Sequence, residues 1–132
     1  MTADFQKQNR QHGDSFEQRV LSHLQKLHGK DAVINSQVAM PDIGINLDFQ
    51  VIGKECIEAK AGERKNDGHT RTCSMKKAIA NGALLHAVHP DLKYVIYFER
   101  PPKPNKSCDQ MLKAAIKAGF VSEARYADEL NI

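Results

Sequence analysis

Three residues near the middle of the chain have the types and spacing that phosphate chemistry requires. Glu58 and Lys60 stand two apart in the segment Glu55–Ala61, ECIEAKA. On a strand, residues two apart share a face, so a carboxylate and an ammonium there serve one site. Acid-x-Lys is a common triplet, and Glu63-Arg-Lys65 and Asp91-Leu-Lys93 also fit it. Those two fall in a polar loop and at a strand entry, where charge is easily solvated. Glu58 instead follows Cys56 and Ile57 inside an apolar strand, where an unpaired charge is costly. Asp48 offers a second carboxylate from the preceding strand, Leu47–Ile52. With Gly53-Lys54 as a two-residue hairpin turn, Phe49 faces Glu58 and Asp48 lies opposite Ala59. Twist or a bulge must then bring the two carboxylates together. Two carboxylates and a main-chain carbonyl form an oxygen-rich pocket suited to Mg2+. Such an ion lowers the pKa of water and polarises a phosphate oxygen. An adjacent ammonium orients the water and offsets developing charge. The competing reading is a surface salt bridge between strands, which contributes little.

The elements that must position these residues are legible from periodicity. Residues 1–13 are polar and read as frayed. Asp14-Ser-Phe-Glu17 then opens a helix whose apolar positions Phe16, Val20, Leu24 and Leu27 recur at helical spacing up to Gly29. Ala32–Met40 reads as a strand, Pro41–Gly44 as a turn, and Leu47–Ile52 with Glu55–Ala61 as a hairpin. Gly62–Thr70 is a charged loop, and Arg71–Val88 is a second helix ended by Pro90. Lys93–Arg100 has apolar residues on both alternating sets, the mark of an internal strand. Ser107–Ala118, capped by Ser107 and stopped by Gly119, is a third helix with Cys108, Leu112, Ala115 and Ile116 inward. A short last helix is expected near Ser122–Leu130. Strands interleaved with covering helices predict an α/β layered domain.

Composition narrows the class. The 132 residues suit one domain, 1–132. A formal charge of +3 permits a polyanionic partner without demanding one. No apolar run approaches the roughly 20 residues of a membrane span, and the polar start lacks an apolar leader segment, so a cytoplasmic protein without a membrane partner is expected. Cys56, Cys73 and Cys108 are odd in number and widely spaced, which predicts reduced thiols rather than disulfides or a zinc cage. His86 and His89, a lone pair without acidic or cysteine partners, read as packing or surface residues. No GxxxxGK[ST] loop points to a nucleotide cofactor, and neither GxSxG nor HExxH is present.

The stretch Pro41-Asp42 … Leu47-Asp48-Phe49 … Cys56-Ile57-Glu58-Ala59-Lys60, with the element order around it, resembles the PD-(D/E)XK, or restriction-endonuclease-like, superfamily over about residues 14–100. The resemblance implies an αβββαβ core: a mixed sheet flanked by helices, here followed by C-terminal helices. It implies that Asp48 and Glu58 are metal ligands, with the carbonyl of Ala59 a further one, and that Lys60 is the catalytic lysine. Asp42 follows a proline, as in the family name, and competes with Asp48 for the first-acid role; a turn Asp is also ordinary turn chemistry. Many members carry a glutamate on the first helix near the metals, and Glu17 resembles it. Asp14-x-x-Glu17 equally has the spacing of a capping box.

Directly after the motif strand, Arg64, Lys65, His69, Thr70, Arg71, Thr72, Lys76 and Lys77 can neutralise or hydrogen-bond phosphates, and the start of the second helix adds an anion-binding end. Lys113 and Lys117 read as merely solvated, and Gln37 is a further residue that can face the site. The expectation is an Mg2+-dependent endodeoxyribonuclease, with Mn2+ able to substitute, acting on double-stranded or branched DNA as a homodimer. The alternatives are a nucleic-acid-binding module without catalysis and a subunit of a larger defence or recombination complex.

Overall fold

A computed structural model describes the backbone of residues 3–62 and 72–132, with side chains for 15–62 and 74–132. The elements run α1 (Ala3–His28), β1 (Ile34–Met40), β2 (Ile45–Val51), β3 (Glu55–Lys60), α2 (Thr72–Val88), β4 (Tyr94–Phe98), α3 (Ser107–Ala118), β5 (Glu123–Tyr126) and α4 (Ala127–Leu130). The five strands form one mixed sheet in the order β1-β2-β3-β4-β5. The first three are antiparallel neighbours, and β4 and β5 continue the sheet parallel to β3. Parallel neighbours require crossover connections, and α2 and α3 supply them.

Helices cover both faces. Met75, Ala78 and Leu85 of α2, with Cys108, Leu112 and Ala115 of α3, close over Cys56, Tyr94, Ile96 and Phe98. On the other face, Phe16, Val20 and Leu24 of α1 and Ala127 of α4 pack on Phe49, Ile57, Val95 and Tyr97. All five residues of β4 are buried, as expected for an internal strand. Fully burying a Phe, Leu or Val side chain contributes about 1.5–3 kcal/mol, so these two clusters are the main source of stability. Gly82 lets α2 approach closely: a Cβ there would stand 2.3 Å from the carbonyl oxygen of Phe120 and 2.8 Å from the Tyr94 ring. Cys56 and Cys108 are buried and in no disulfide.

Several boundaries differ from the sequence expectation. Helix α1 begins at Ala3, so Asp14 lies within it and cannot be its N-cap. Leu27 is half exposed, and Ile116 is also partly exposed. Lys106, not Ser107, is the N-cap of α3, and the Asp109 carboxylate accepts the Asn105 N–H at 2.9 Å instead. Gly119 stops α3 in the left-handed conformation, φ 85°. The segment expected to form only a last helix begins as β5, because the open edge of β4 pairs with Glu123–Tyr126 before the chain turns into α4. The hairpin connection has three residues, Ile52-Gly53-Lys54, and Val51 pairs with Glu55. That shifts the register by one from the expected two-residue turn.

One end of the sheet is tied by charge. Glu55, at the start of β3, is 3% exposed. Its oxygens accept from Arg125 Nη1 at 2.7 Å and Nη2 at 2.9 Å. His28 Nε2 lies 2.9 Å from Glu55 Oε1. Arg125 also reaches the Tyr97 hydroxyl, and Lys93 pairs with Glu123. Burial pushes the Glu55 carboxyl up, but bonds from Arg125 and His28 outweigh it and hold the group below the usual carboxylate range. Removing one partner of a buried pair costs about 3–5 kcal/mol because the other charge is left uncompensated. Arg125→Ala is therefore expected to lower unfolding free energy by about 3 kcal/mol in urea titrations. Arg125→Met with Glu55→Leu is expected to recover most of that loss; a double variant as unstable as the single would place the cost in lost packing instead.

Candidate active site

The β2–β3 ladder stops short. Its paired residues are Val51 with Glu55, Gln50 with Cys56 and Phe49 with Ile57. Continued by one step, this register sets Asp48 opposite Glu58, and by two sets Leu47 opposite Ala59. Strand β2 turns over at that point. Phe49 and Val51 belong to the cluster under α1, whereas Ile45 and Leu47 join the cluster under α2 and α3. Regular alternation would keep all four on one face. On the neighbouring strand, Gln37 lies across from Asp48 with φ 50°, between the Ser36–Phe49 and Val38–Leu47 pairs. This left-handed residue bends β1 where β2 turns.

A wedge thus opens between β2 and β3, and Asp48 closes its narrow end. Asp48 Oδ2 accepts the main-chain N–H of Ala59 at 2.8 Å, the donor that a continued ladder would have given to Leu47. Leaving a buried N–H unpaired costs about 1–3 kcal/mol, so the side chain replaces the strand at this step. In a strand, the N–H and C=O of one residue point to the same edge, so the Ala59 carbonyl also faces the wedge.

Glu58 lies beside it, 9% exposed. Its Oε1 is 3.5 Å from Lys60 Nζ, and its Oε2 is buried with no hydrogen-bond partner among the described residues. Burial, then the charge of Asp48, pushes its pKa up to about 7, with Glu17 adding to the rise and Lys60 partly offsetting it. A buried orphan carboxylate oxygen needs an explanation in a folded chain. Two clustered carboxylates beside an ammonium, set in a partly dry wedge, suit a cation or the proton of a reacting group.

The other expected site residues fall into three groups. Glu17 is half-buried on α1, electrostatically coupled to Glu58. Since α1 starts at Ala3, Glu17 is not a first-turn residue and the capping-box reading does not hold. Asp42 lies in the turn before β2, half exposed, and contacts His89 Nε2 at 2.6 Å. Of the two competing first acids, Asp48 is the one against β3. Lys76 and Lys77 are exposed on α2, whereas Arg64, Lys65, His69, Thr70 and Arg71 lie outside the described residues. Gln37 is exposed, and Lys113 is a solvated partner of Asp109 at 3.0 Å.

Sequence reasoning did not single out the contacts that fix the exit of β3. Glu99, just after β4, accepts from the Gly62 N–H and from Arg19 of α1. Nothing in its local sequence marks it, since the partners are 37 and 80 residues away.

Among the described residues, no set of three or more His, Cys, Asp and Glu side chains is arranged to hold a metal ion. The fit for Mg2+ therefore rests on a smaller donor set: the Asp48 and Glu58 carboxylates with the Ala59 carbonyl. The unsatisfied Glu58 Oε2 favours such a guest, and oxygen donors are what a hard cation takes.

Glu58 also makes stability depend on pH. Its folded pKa, about 7, exceeds the ordinary 4.5, so the folded chain binds this proton more tightly than the unfolded one. The associated stability is present below pH 4.5, declines as pH rises towards 7, and is gone above it. The displacement corresponds to roughly 3 kcal/mol. Glu58→Gln is therefore expected to melt several degrees above the wild type at pH 8 in EDTA, and to match it near pH 4.5. Coincident melts at pH 8 would count against a strained carboxylate. No family model matches the chain and no curated protein sequence matches it, so the chemistry of the site rests on this geometry.

Proposed function

We propose that the chain is a metal-dependent endodeoxyribonuclease with its centre at Asp48, Glu58 and Lys60. The observation that carries this reading is the buried, half-unsatisfied Glu58 carboxylate, with Lys60 3.5 Å away and Asp48 bound to the adjoining residue of β3. A surface salt bridge would leave neither an orphan buried oxygen nor a second carboxylate beside it. The element order from α1 to β4, which is the order of the PD-(D/E)XK core, supports the same reading.

Asp48, Glu58 and the Ala59 carbonyl would hold Mg2+, with Mn2+ able to replace it. When bound, such an ion supplies Lewis acidity towards a phosphate oxygen and lowers the pKa of water. The remaining work belongs to side chains. Lys60 Nζ donates a hydrogen bond that orients the attacking water and offsets negative charge gathering at phosphorus. The water oxygen joins phosphorus, losing its proton to bulk solvent, as the P–O ester bond breaks and the departing sugar oxygen takes a proton from solvent. Glu17 on α1 is a third carboxylate near Glu58, outside the donor set. Lys76 and Lys77, with the basic segment 64–71, neutralise the flanking phosphates and hold the DNA backbone. One centre cuts one strand, so cutting both strands brings two copies together, most simply about a two-fold axis.

Purified protein with plasmid, linear and branched DNA is expected to cleave in Mg2+ or Mn2+ and not in EDTA. Lys60→Ala, Asp48→Ala and Glu58→Ala are each expected to lower the rate by roughly 100-fold or more while DNA binding persists. Asp42→Ala is expected to cut at close to the wild-type rate. Cleavage surviving EDTA, or surviving in both the Lys60 and Asp48 variants, would sink the mechanism. Tight binding with no cleavage under any condition would favour the non-catalytic binding module.

A further inference from the structure

We propose that Glu99 is a positioning residue for this centre: by bridging Arg19 of α1 to the N–H of Gly62, it fixes where β3 ends and so where Lys60 is held. The role in catalysis rests on the nuclease reading above; the latch itself does not.

Glu99 grips the chain on both sides of Ala61. Its main-chain N–H donates to the Lys60 carbonyl at 3.0 Å, extending the β3–β4 ladder one step beyond the Lys60–Phe98 pair. Its Oε1 accepts the Gly62 N–H at 2.8 Å. One residue therefore defines the path of the chain immediately before and after Ala61. Gly62 is fitted to this arrangement: it is buried, and a Cβ there would come within 3.0 Å of the Arg100 side chain and 3.3 Å of Glu99 Oε1.

The other carboxylate oxygen of Glu99 faces α1. Arg19 Nη1 donates to Oε2 at 2.7 Å, and the Glu99 side chain is only 12% exposed. Arg19 is itself steadied, with its guanidinium over the Phe16 ring at 5.4 Å and Nη2 on the Ile132 carbonyl oxygen at 2.7 Å. A charge-assisted bond between two such held groups is stronger and more directional than a neutral one. Helix α1 also carries Glu17, two residues before Arg19. The latch therefore links the helix bearing the third carboxylate to the end of the strand bearing Glu58 and Lys60.

Packing does not replace this link. Phe16, Val20 and Leu24 hold α1 against the sheet, but apolar contact is non-directional. It does not set the direction in which β3 leaves the sheet two residues beyond Lys60. A misplacement of about 1 Å at a reacting group can cost roughly 100-fold in rate.

The test compares Glu99→Ala, Glu99→Gln, Arg19→Ala and the Arg19→Ala/Glu99→Ala double variant. Amide hydrogen exchange at Gly62 is expected to accelerate in Glu99→Ala, while the Glu99 amide, bonded to Lys60, stays protected. In Mg2+, kcat for DNA cleavage is expected to fall by about tenfold or more, with KM unchanged. Glu99→Gln keeps one oxygen for the Gly62 N–H and is expected to recover part of the rate. The double variant is expected to be no slower than Glu99→Ala, because Arg19 acts on the end of β3 through Glu99. Wild-type kcat in Glu99→Ala, or a loss that appears only as raised KM, would overturn the positioning role. If the wild type cleaves no DNA, the nuclease reading fails and the catalytic role with it; unchanged exchange at Gly62 would mark the separate failure of the latch.

Discussion

The single hydrogen bond from the Ala59 N–H to the Asp48 carboxylate decides the shape of the candidate site. It occurs where β2 leaves the β3 ladder, and it satisfies the donor that the departing strand abandons. Without a substitute acceptor, the parting of the strands would leave a buried N–H unpaired. With one, β2 can turn over, send Leu47 and Ile45 to the opposite core, and open a wedge onto Glu58. Asp48 is thus held in place by a structural need, yet it stands against the Glu58 carboxylate, whose ionisation it opposes.

Strand β3 carries two buried glutamates with opposite fates. Glu55 is surrounded by Arg125, His28 and, at 4.0 Å, Lys93, and its carboxyl is held below the ordinary range. Glu58 has Lys60 on one oxygen, no partner among the described residues on the other, and carboxylates nearby, and its pKa is pushed to about 7. They lie three residues apart, so their side chains project to opposite faces of the sheet. The same chemical group serves as a staple on one face and as a poised, under-satisfied group on the other. That divergence supports the proposal that Glu58 is the one that serves the chemistry.

Much of this was legible from residue patterns. The apolar stripes of Phe16, Val20 and Leu24 and of Leu112 and Ala115 place helices correctly, because a stripe must be buried whatever it meets. The double-sided apolar character of Tyr94–Phe98 identifies an internal strand for the same reason. Elsewhere a distant partner overrides the local signal. Asp14 has the spacing of a cap but lies inside a longer helix. Glu123–Tyr126 is too short to announce itself as a strand and becomes one only because the edge of β4 is open to it. The hairpin has a three-residue connection, and with that one-residue difference the β2–β3 register, continued past its last pair, sets Asp48 across from Glu58 instead of Ala59.

What the sequence determined by itself about the candidate site is its inventory: an acid in one apolar strand, an acid and a lysine two apart in the next, and a basic stretch after them. Those follow from alternation and spacing, which are local. The tertiary structure alone decided that β2 would part from β3 at Asp48, that Asp42 would face His89 instead, and that Glu99 would join Arg19 to Gly62. Each of these depends on groups 11 to 80 residues apart meeting within hydrogen-bond range. Pairing at such separations is set by how the whole sheet packs between its helices, and no short window of sequence contains it.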